Sequence, residues 1–425
     1  MMGERRVALR YGRGHLECTV SDRATFLDIR EPAHTLDKVS FLSGLRDLLP
    51  PVVPKGPIAI VVADKTRLCG YPIILPWLVK GLRERGAARE QIVFYIAYGT
   101  HAPQSEAESL AAYGPICTEY PFIHHHCRDP VRFAELGRTR RGTPLRIRKD
   151  LLNAGLILTV GAISHHYFAG FGGGRKLLFP GLGEQEAIAL NHRLFLDDRH
   201  PRLAPGCHPG QLAGNPLAED LAEIHAMLPP HLSIHGLLDS QGRLAAVRFG
   251  ATYADFLAVC QEHDALYRAA TDELYDLVLA SAGGYPKDIN MIQTHKAIDN
   301  AAAFVHDGGT LMLLAECADG IGSTTFLPYF AMGGKVAVFA HLRSAYRGNG
   351  GTALAMMVKT ERIHIVLVTA LPEELCRQIG VDRVTAEDLA NFRRATARDM
   401  AVIANASMLI RSPTKCHDVS PVAPL

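Results

Sequence analysis

The chain has 425 residues, 48% of them apolar and 21% charged, with 38 glycines and 25 prolines; this excludes a disordered or collagen-like polypeptide and supplies enough apolar surface for two domains. Lys plus Arg number 45 against 43 acids, a formal charge of +2, which excludes a surface built mainly to grip nucleic acid or an anionic membrane. The nine cysteines are scattered, with no Cys-x-x-Cys pair, so neither a disulfide frame nor a zinc ribbon is indicated. The start, Met1 to Arg6, runs into polar Tyr11-Gly12-Arg13-Gly14 without a signal-type apolar core. No later stretch approaches the roughly 18 apolar residues of a membrane span. A cytoplasmic protein is expected.

In chain order, short β-rich runs break into glycine-bearing or charged loops followed by helical patterns, the alternation of an α/β fold with largely parallel, Rossmann-like sheets. Ile58 to Ala63 stops at Asp64-Lys65-Thr66-Arg67, and Ile73 to Leu82 then carries apolar residues at helical spacing. Ile92 to Tyr98 stops at Gly99-Thr100-His101. Leu156 to Val160 leads into Ser164-His165-His166 and on to Gly170-Phe171-Gly172-Gly173-Gly174-Arg175-Lys176. A helix is expected from Glu184 to Asn191, and a long surface loop over His200 to Pro216. Past about residue 270 the pattern restarts with Asp276 to Ser281, which ends at Gly283-Gly284-Tyr285-Pro286-Lys287-Asp288. Thr310 to Leu314, Val336 to Ala340, His364 to Val368 and Val402 to Ala404 are the later strand candidates. This divides the chain into an N-terminal α/β domain, residues 1–270, and a C-terminal one, residues 271–425, whose final 25 or so residues return to the first.

Ligands of open α/β sheets sit beyond the carboxyl ends of the strands, so the polar residues there are the site candidates. Arg67 with Thr66 suits a carboxylate or phosphate, through its planar fork and free backbone amides; an ordinary strand-end ion pair has the same signature. His101 and His166 can exchange roles as proton donor and acceptor, and spacing alone leaves His165 open. The glycine loop fails the dinucleotide pattern G-x-G-x-x-G at Arg175 or Leu177 and fails the phosphate-loop pattern at Leu177. Lys176 enters an apolar stretch, where desolvation would lower its pKa and free its amine for covalent chemistry. His192 follows the helix as a single candidate metal ligand, while His124-His125-His126 cannot all face one metal from a strand. No H-E-x-x-H motif is present. Gln293 and Lys296 share a helix face and can close on an anion from the opposite side of a cleft.

Together, Asp64-Lys65-Thr66-Arg67, Gly99-Thr100-His101-Ala102-Pro103, His166 through Lys176 to Gly181, Asn191-His192, and Gly284 to Asp288 with Gln293 and Lys296 resemble the nickel-dependent lactate racemase family in order and spacing, over roughly residues 11 to 330. The resemblance implies a nickel-pincer nucleotide, a pyridinium-3-thioamide-5-thiocarboxylic acid mononucleotide, tethered to Lys176 with His192 as a nickel ligand. It implies His101 and His166 as the acid/base pair, Asp64, Thr66 and Lys296 as cofactor contacts, and Arg67, Gln293 and Lys296 as substrate contacts. The implied activity is racemisation or epimerisation of a 2-hydroxy acid in an interdomain cleft: hydride passes reversibly to the cofactor through a 2-keto acid, and separate enzymes mature the cofactor. Two departures stand out. Ile292 replaces a tyrosine of the lactate enzyme, which suggests a substrate other than lactate. Gly172 and Arg175 replace residues that are commonly serine and small, and Arg175 is a candidate contact for a polar substrate. The rival readings are an NAD(P)-dependent 2-hydroxyacid oxidoreductase, a non-catalytic metal- or anion-binding protein, and a hydrolase using Cys69.

Overall fold

In a computed structural model that describes residues 3–391 and 399–412, the chain forms two six-stranded sheets covered by helices. In the first sheet the strand Ile58–Ala63 lies between Ile92–Ala97 and Leu156–Ala162 and runs parallel to both. All six residues of Ile58–Ala63 are buried, as a continuous apolar strand covered on both faces requires. Phe122–His124 and Leu232–Leu238 extend this sheet in parallel, and Leu244–Gly250 closes its edge as an antiparallel hairpin partner. The expected α/β architecture with largely parallel sheets is therefore present.

The second sheet is parallel throughout, with Tyr275–Ser281 flanked by Val305–Leu314 and Met400–Ile403. Its outer strand on one side is Thr25–Leu27, which pairs with Met400–Ile403. The hairpin of Glu4–Tyr11 and Gly14–Ser21 buries Leu9, Cys18 and Val20 against the same sheet. The N-terminal residues thus pack with the sheet formed mainly after residue 271, a crossing that a division at residue 270 does not follow. Ile410–Ser412 pairs with Arg268–Ala270; the expected return of the chain beyond Ser412 falls outside the described residues.

One expected strand is a helix. Val336 to Ala340 belongs to the helix Lys335–Ser344, which buries Val338, Phe339 and Leu342 and leaves Val336 61% exposed. A five-residue apolar run is ambiguous by composition, and the i, i+1, i+4 burial of these residues is the helical solution. Among the described residues no helix is long and apolar enough to cross a membrane.

Candidate active site

Three neighbouring parallel strands set the site. Because Leu156–Ala162, Ile58–Ala63 and Ile92–Ala97 lie side by side, the loops after them carry His166, Asp64 with Arg67, and His101 to one end of the sheet. Asp64 is 3% exposed. Its Oδ1 accepts the Thr66 N–H at 2.8 Å and the Thr66 hydroxyl at 2.5 Å, and its Oδ2 lies 2.7 Å from His101 Nδ1. Burial alone would raise this carboxyl, but the His101 hydrogen bond and the Arg67 charge outweigh it and hold Asp64 well below the usual carboxylate range. Arg67 Nη1 reaches Thr66 Oγ1 at 3.0 Å and only approaches Asp64 Oδ2, at 3.6 Å, so most of the guanidinium fork is left for a ligand.

The two adjacent histidines separate by strand alternation. His165 turns inward to Asp264 at 2.9 Å and crosses His263 edge-on at 4.7 Å, which closes the alternative that spacing left open. His166 has the Tyr167 ring stacked at 5.0 Å, and its Nδ1 accepts the Phe168 and Ala169 amides at 3.2 and 3.1 Å. Burial, then the charges of Lys176, Arg67 and Lys296, hold its pKa well below that of ordinary histidine.

The glycine loop is ordered: Ser164–His166 and Gly170–Gly172 pair antiparallel, and Gly174–Leu177 forms a 3₁₀ turn. At Gly173, with φ +74°, a Cβ would meet the Ala162 carbonyl at 2.2 Å, so only glycine lets the loop close onto the strand end. Lys176 lies partly buried in this turn, and burial, followed by Arg67, Arg175 and Lys296, pushes its amine well below the ordinary lysine range. Arg175 is buried, lies over the Phe256 ring at 4.9 Å and donates to Ala169 O at 3.2 Å.

His192 sits in the last turn of the helix Gln185–Arg193, which Glu184 caps by accepting the Ala187 amide. Its Nδ1–H donates to Ile188 O at 2.9 Å, and burial, then Lys176, brings its pKa down to about 4. The ring is therefore neutral with Nε2 free, the state a metal ligand needs. Among the described residues no three His, Cys, Asp or Glu side chains form a metal-binding group, so a metal at His192 would take its other donors from a bound ligand.

The second sheet contributes the helix Met291–Ala302, on which Lys296 Nζ donates to Gln293 Oε1 at 2.7 Å. Burial, then Arg67 and Lys287, holds Lys296 well below its ordinary pKa, while Asp64 opposes the shift. Lys287 itself is lowered by burial and by Arg67. Sequence reasoning quoted Lys287 without giving it a role, although the strand-end rule that found Arg67 applies to it equally. Tyr346, 6.2 Å from the His192 ring, carried no sequence signal; it places a phenol beside the site, while Ile292 packs against the main core.

The remaining candidates lie apart. His124 Nδ1 meets the Tyr98 hydroxyl at 2.8 Å, and His125 Nε2 meets Gly183 O at 3.0 Å. Cys69 is fully buried and burial pushes its thiol up to about 12, which disarms it as a nucleophile at neutral pH.

The site thus gathers three lysines and an arginine with His101 and His166, and the neutral imidazole of His192 lies beside them. Residues 12–204 match the model of the lactate racemase N-terminal domain, and residues 271–347 that of the lactate racemase C-terminal domain. The chain is 30% identical over 280 residues to a lactate racemase of Thermoanaerobacterium thermosaccharolyticum, covering 65% of this chain and 63% of the relative. It is 28% identical over 274 residues to one of Lactiplantibacillus plantarum, covering 64% and 63%. The aligned stretch therefore spans less than two thirds of each relative's length. In fold, the chain is similar to the lactate racemase apoprotein of T. thermosaccharolyticum, with TM-score 0.83 and 23% identity over 96% of this chain and 100% of that one. A Thermotoga maritima protein superposes with TM-score 0.68 and 16% identity, over 90% and 99%. With both domain models matched in order across most of its length, the chain belongs to the lactate racemase family.

Proposed function

We propose that this protein is an isomerase that interconverts the configurations of a 2-hydroxy acid, lactate or a related 2-hydroxycarboxylate, through a 2-keto acid. The observation that carries the reading is the convergence of His101, His166, Lys176, His192 and Arg67 at the end of one sheet, faced by Lys287, Gln293 and Lys296 from the other. The C–H bond beside a hydroxyl and a carboxylate is a weak acid, so its removal as hydride is the easier path.

The donor set fits the nickel-pincer nucleotide: Lys176 offers a neutral amine for the tether, His192 a free Nε2 for nickel, and Asp64, Thr66 and Lys296 polar contacts around it. When bound, that group would supply the hydride acceptor. Arg67, Gln293 and Lys296 bind and orient the substrate carboxylate. His101, braced by Asp64, handles the hydroxyl proton on one side of the substrate, and His166 meets its oxygen on the other. Tyr167 and Phe168 exclude water behind His166. In this reading residues 1–270 carry tether, metal ligand and histidines, and residues 271–425 close the cleft over an anionic ligand. Cofactor maturation is done by other enzymes of a reducing cytoplasm.

The test is intact-protein mass and metal analysis of protein made beside cofactor-building enzymes, followed by chiral assay. An adduct on Lys176, about one nickel per chain and interconversion of a 2-hydroxy acid are expected. Interconversion by matured protein with an unmodified Lys176 would overturn the tether, and a released nicotinamide dinucleotide would mark an oxidoreductase instead.

A further inference from the structure

His101 and His166 are each held through Nδ1, but by partners of opposite kind. Asp64 Oδ2 lies 2.7 Å from His101 Nδ1, and the charges and hydrogen bonds around Asp64 keep it ionised. A carboxylate only accepts, so His101 Nδ1 carries the proton. Arg67 Nη1 also stands 3.4 Å from that nitrogen. The two contacts cannot both be hydrogen bonds, because Nδ1 either donates or accepts, and the shorter, charge-assisted one decides. At His166 the partners are the Phe168 and Ala169 amides, at 3.2 and 3.1 Å. Amides only donate, so His166 Nδ1 is bare and its proton sits on Nε2. Protonating Nδ1 would set a third N–H against two others, in a region where the Arg67 guanidinium already carries charge.

We propose that the two histidines, in their neutral forms, take opposite tautomers, with His101 presenting an Nε2 lone pair and His166 presenting an Nε2–H. This rests on the racemase reading and refines it. With both rings neutral, the protein is armed as a base on the His101 side alone, where the hydroxyl proton passes to His101 Nε2 and the imidazolium formed is countered by Asp64. On the other side His166 donates a hydrogen bond to the substrate oxygen. It becomes a base only after Nε2 gives its proton to solvent and Nδ1 takes one from solvent, releasing both amides. Asp64 and the two amides are the positioning groups.

The same geometry supplies the test. Because Asp64 Oδ1 accepts two hydrogen bonds from Thr66, the side-chain oxygen in Asp64→Asn is pinned there. Its NH₂ then points at His101 Nδ1 and forces the proton to Nε2. Long-range ¹H–¹⁵N spectra of the full chain labelled at histidine, recorded where both rings are neutral, should give Nδ1–H for His101 and Nε2–H for His166. His101 should switch to Nε2–H in Asp64→Asn while the other histidines keep their shifts. One shared tautomer, or an unchanged His101 in that variant, overturns the proposal.

In matured protein Asp64→Asn should lose activity by about 10³- to 10⁴-fold, as a base locked in the wrong tautomer does. Asp64→Ala, which leaves the ring free to choose, should lose less; the reverse order would mark Asp64 as merely structural and overturn the proposal. If matured wild type interconverts no 2-hydroxy acid, the racemase reading fails, while the spectra still decide the tautomers.

Discussion

A lysine that must be neutral to act needs an environment that penalises its charge, and Lys176 has two: partial burial and the neighbouring Arg67, Arg175 and Lys296. Its amine therefore loses its proton at a pH where exposed lysines keep theirs. An amine-directed acylating reagent at pH 8 should modify Lys176 in the cofactor-free protein faster than exposed Lys55, and Arg67→Ala should slow that labelling; peptide mass mapping reads both. His101→Ala should lower kcat/KM by about 10²- to 10⁴-fold. The loss must be equal from either enantiomer, since two enantiomers have an equilibrium constant of one, so differences between directions can appear only in kcat and KM separately. Chiral chromatography of initial rates measures this.

The site residues are held by short elements whose ends do the positioning. Asn290 caps the helix Met291–Ala302 by accepting the Gln293 amide at 3.0 Å, so one side chain both starts the helix and orients the residue that holds Lys296. Asn290→Ala should cost about 1 kcal/mol of stability, seen as a lower denaturation midpoint, and should raise KM more than it lowers kcat. Glu184 acts alike on the helix that carries His192. The helix Lys335–Ser344 shows why elements are not read from composition alone: its five-residue apolar run Val336 to Ala340 satisfies a strand pattern, and the packing of Val338, Phe339 and Leu342 makes it helical.

Across the molecule, Arg67, Lys176, Lys287 and Lys296 from the two sheets crowd one region, an arrangement that stabilises a bound anion more than it stabilises the empty fold. In the folded chain Lys176, Lys287 and Lys296 are held below the ordinary lysine value of about 10.4, so the unfolded chain binds more protons below that value. Stability from these groups therefore falls as pH drops and rises as pH climbs toward it. An anion that pairs with them reverses the penalty. Phosphate or a 2-hydroxy acid at about 100 times its Kd should add about 2.7 kcal/mol, visible as a higher melting temperature at low salt. Arg67→Ala should abolish most of that gain, while a neutral osmolyte should give the same gain in both proteins.

By itself the sequence determined the central buried strands of the two sheets, since buried parallel strands are continuous apolar runs, and the candidate list, since each strand's carboxyl end is followed at once by its polar loop. The order of Asp64, His101, His166, Lys176, His192 and Lys296 was legible for that reason, and so was the family. Which neighbours these residues meet was decided only in three dimensions. That Leu156–Ala162 lies beside Ile58–Ala63 brings His166 near Arg67 across about 100 residues of chain; that Thr25–Leu27 joins the second sheet follows from pairing; and Lys287 and Tyr346 enter the site through packing. The direction in which a histidine turns, and hence where its proton sits, depends on carboxylates and amides that only the folded chain brings within hydrogen-bond reach.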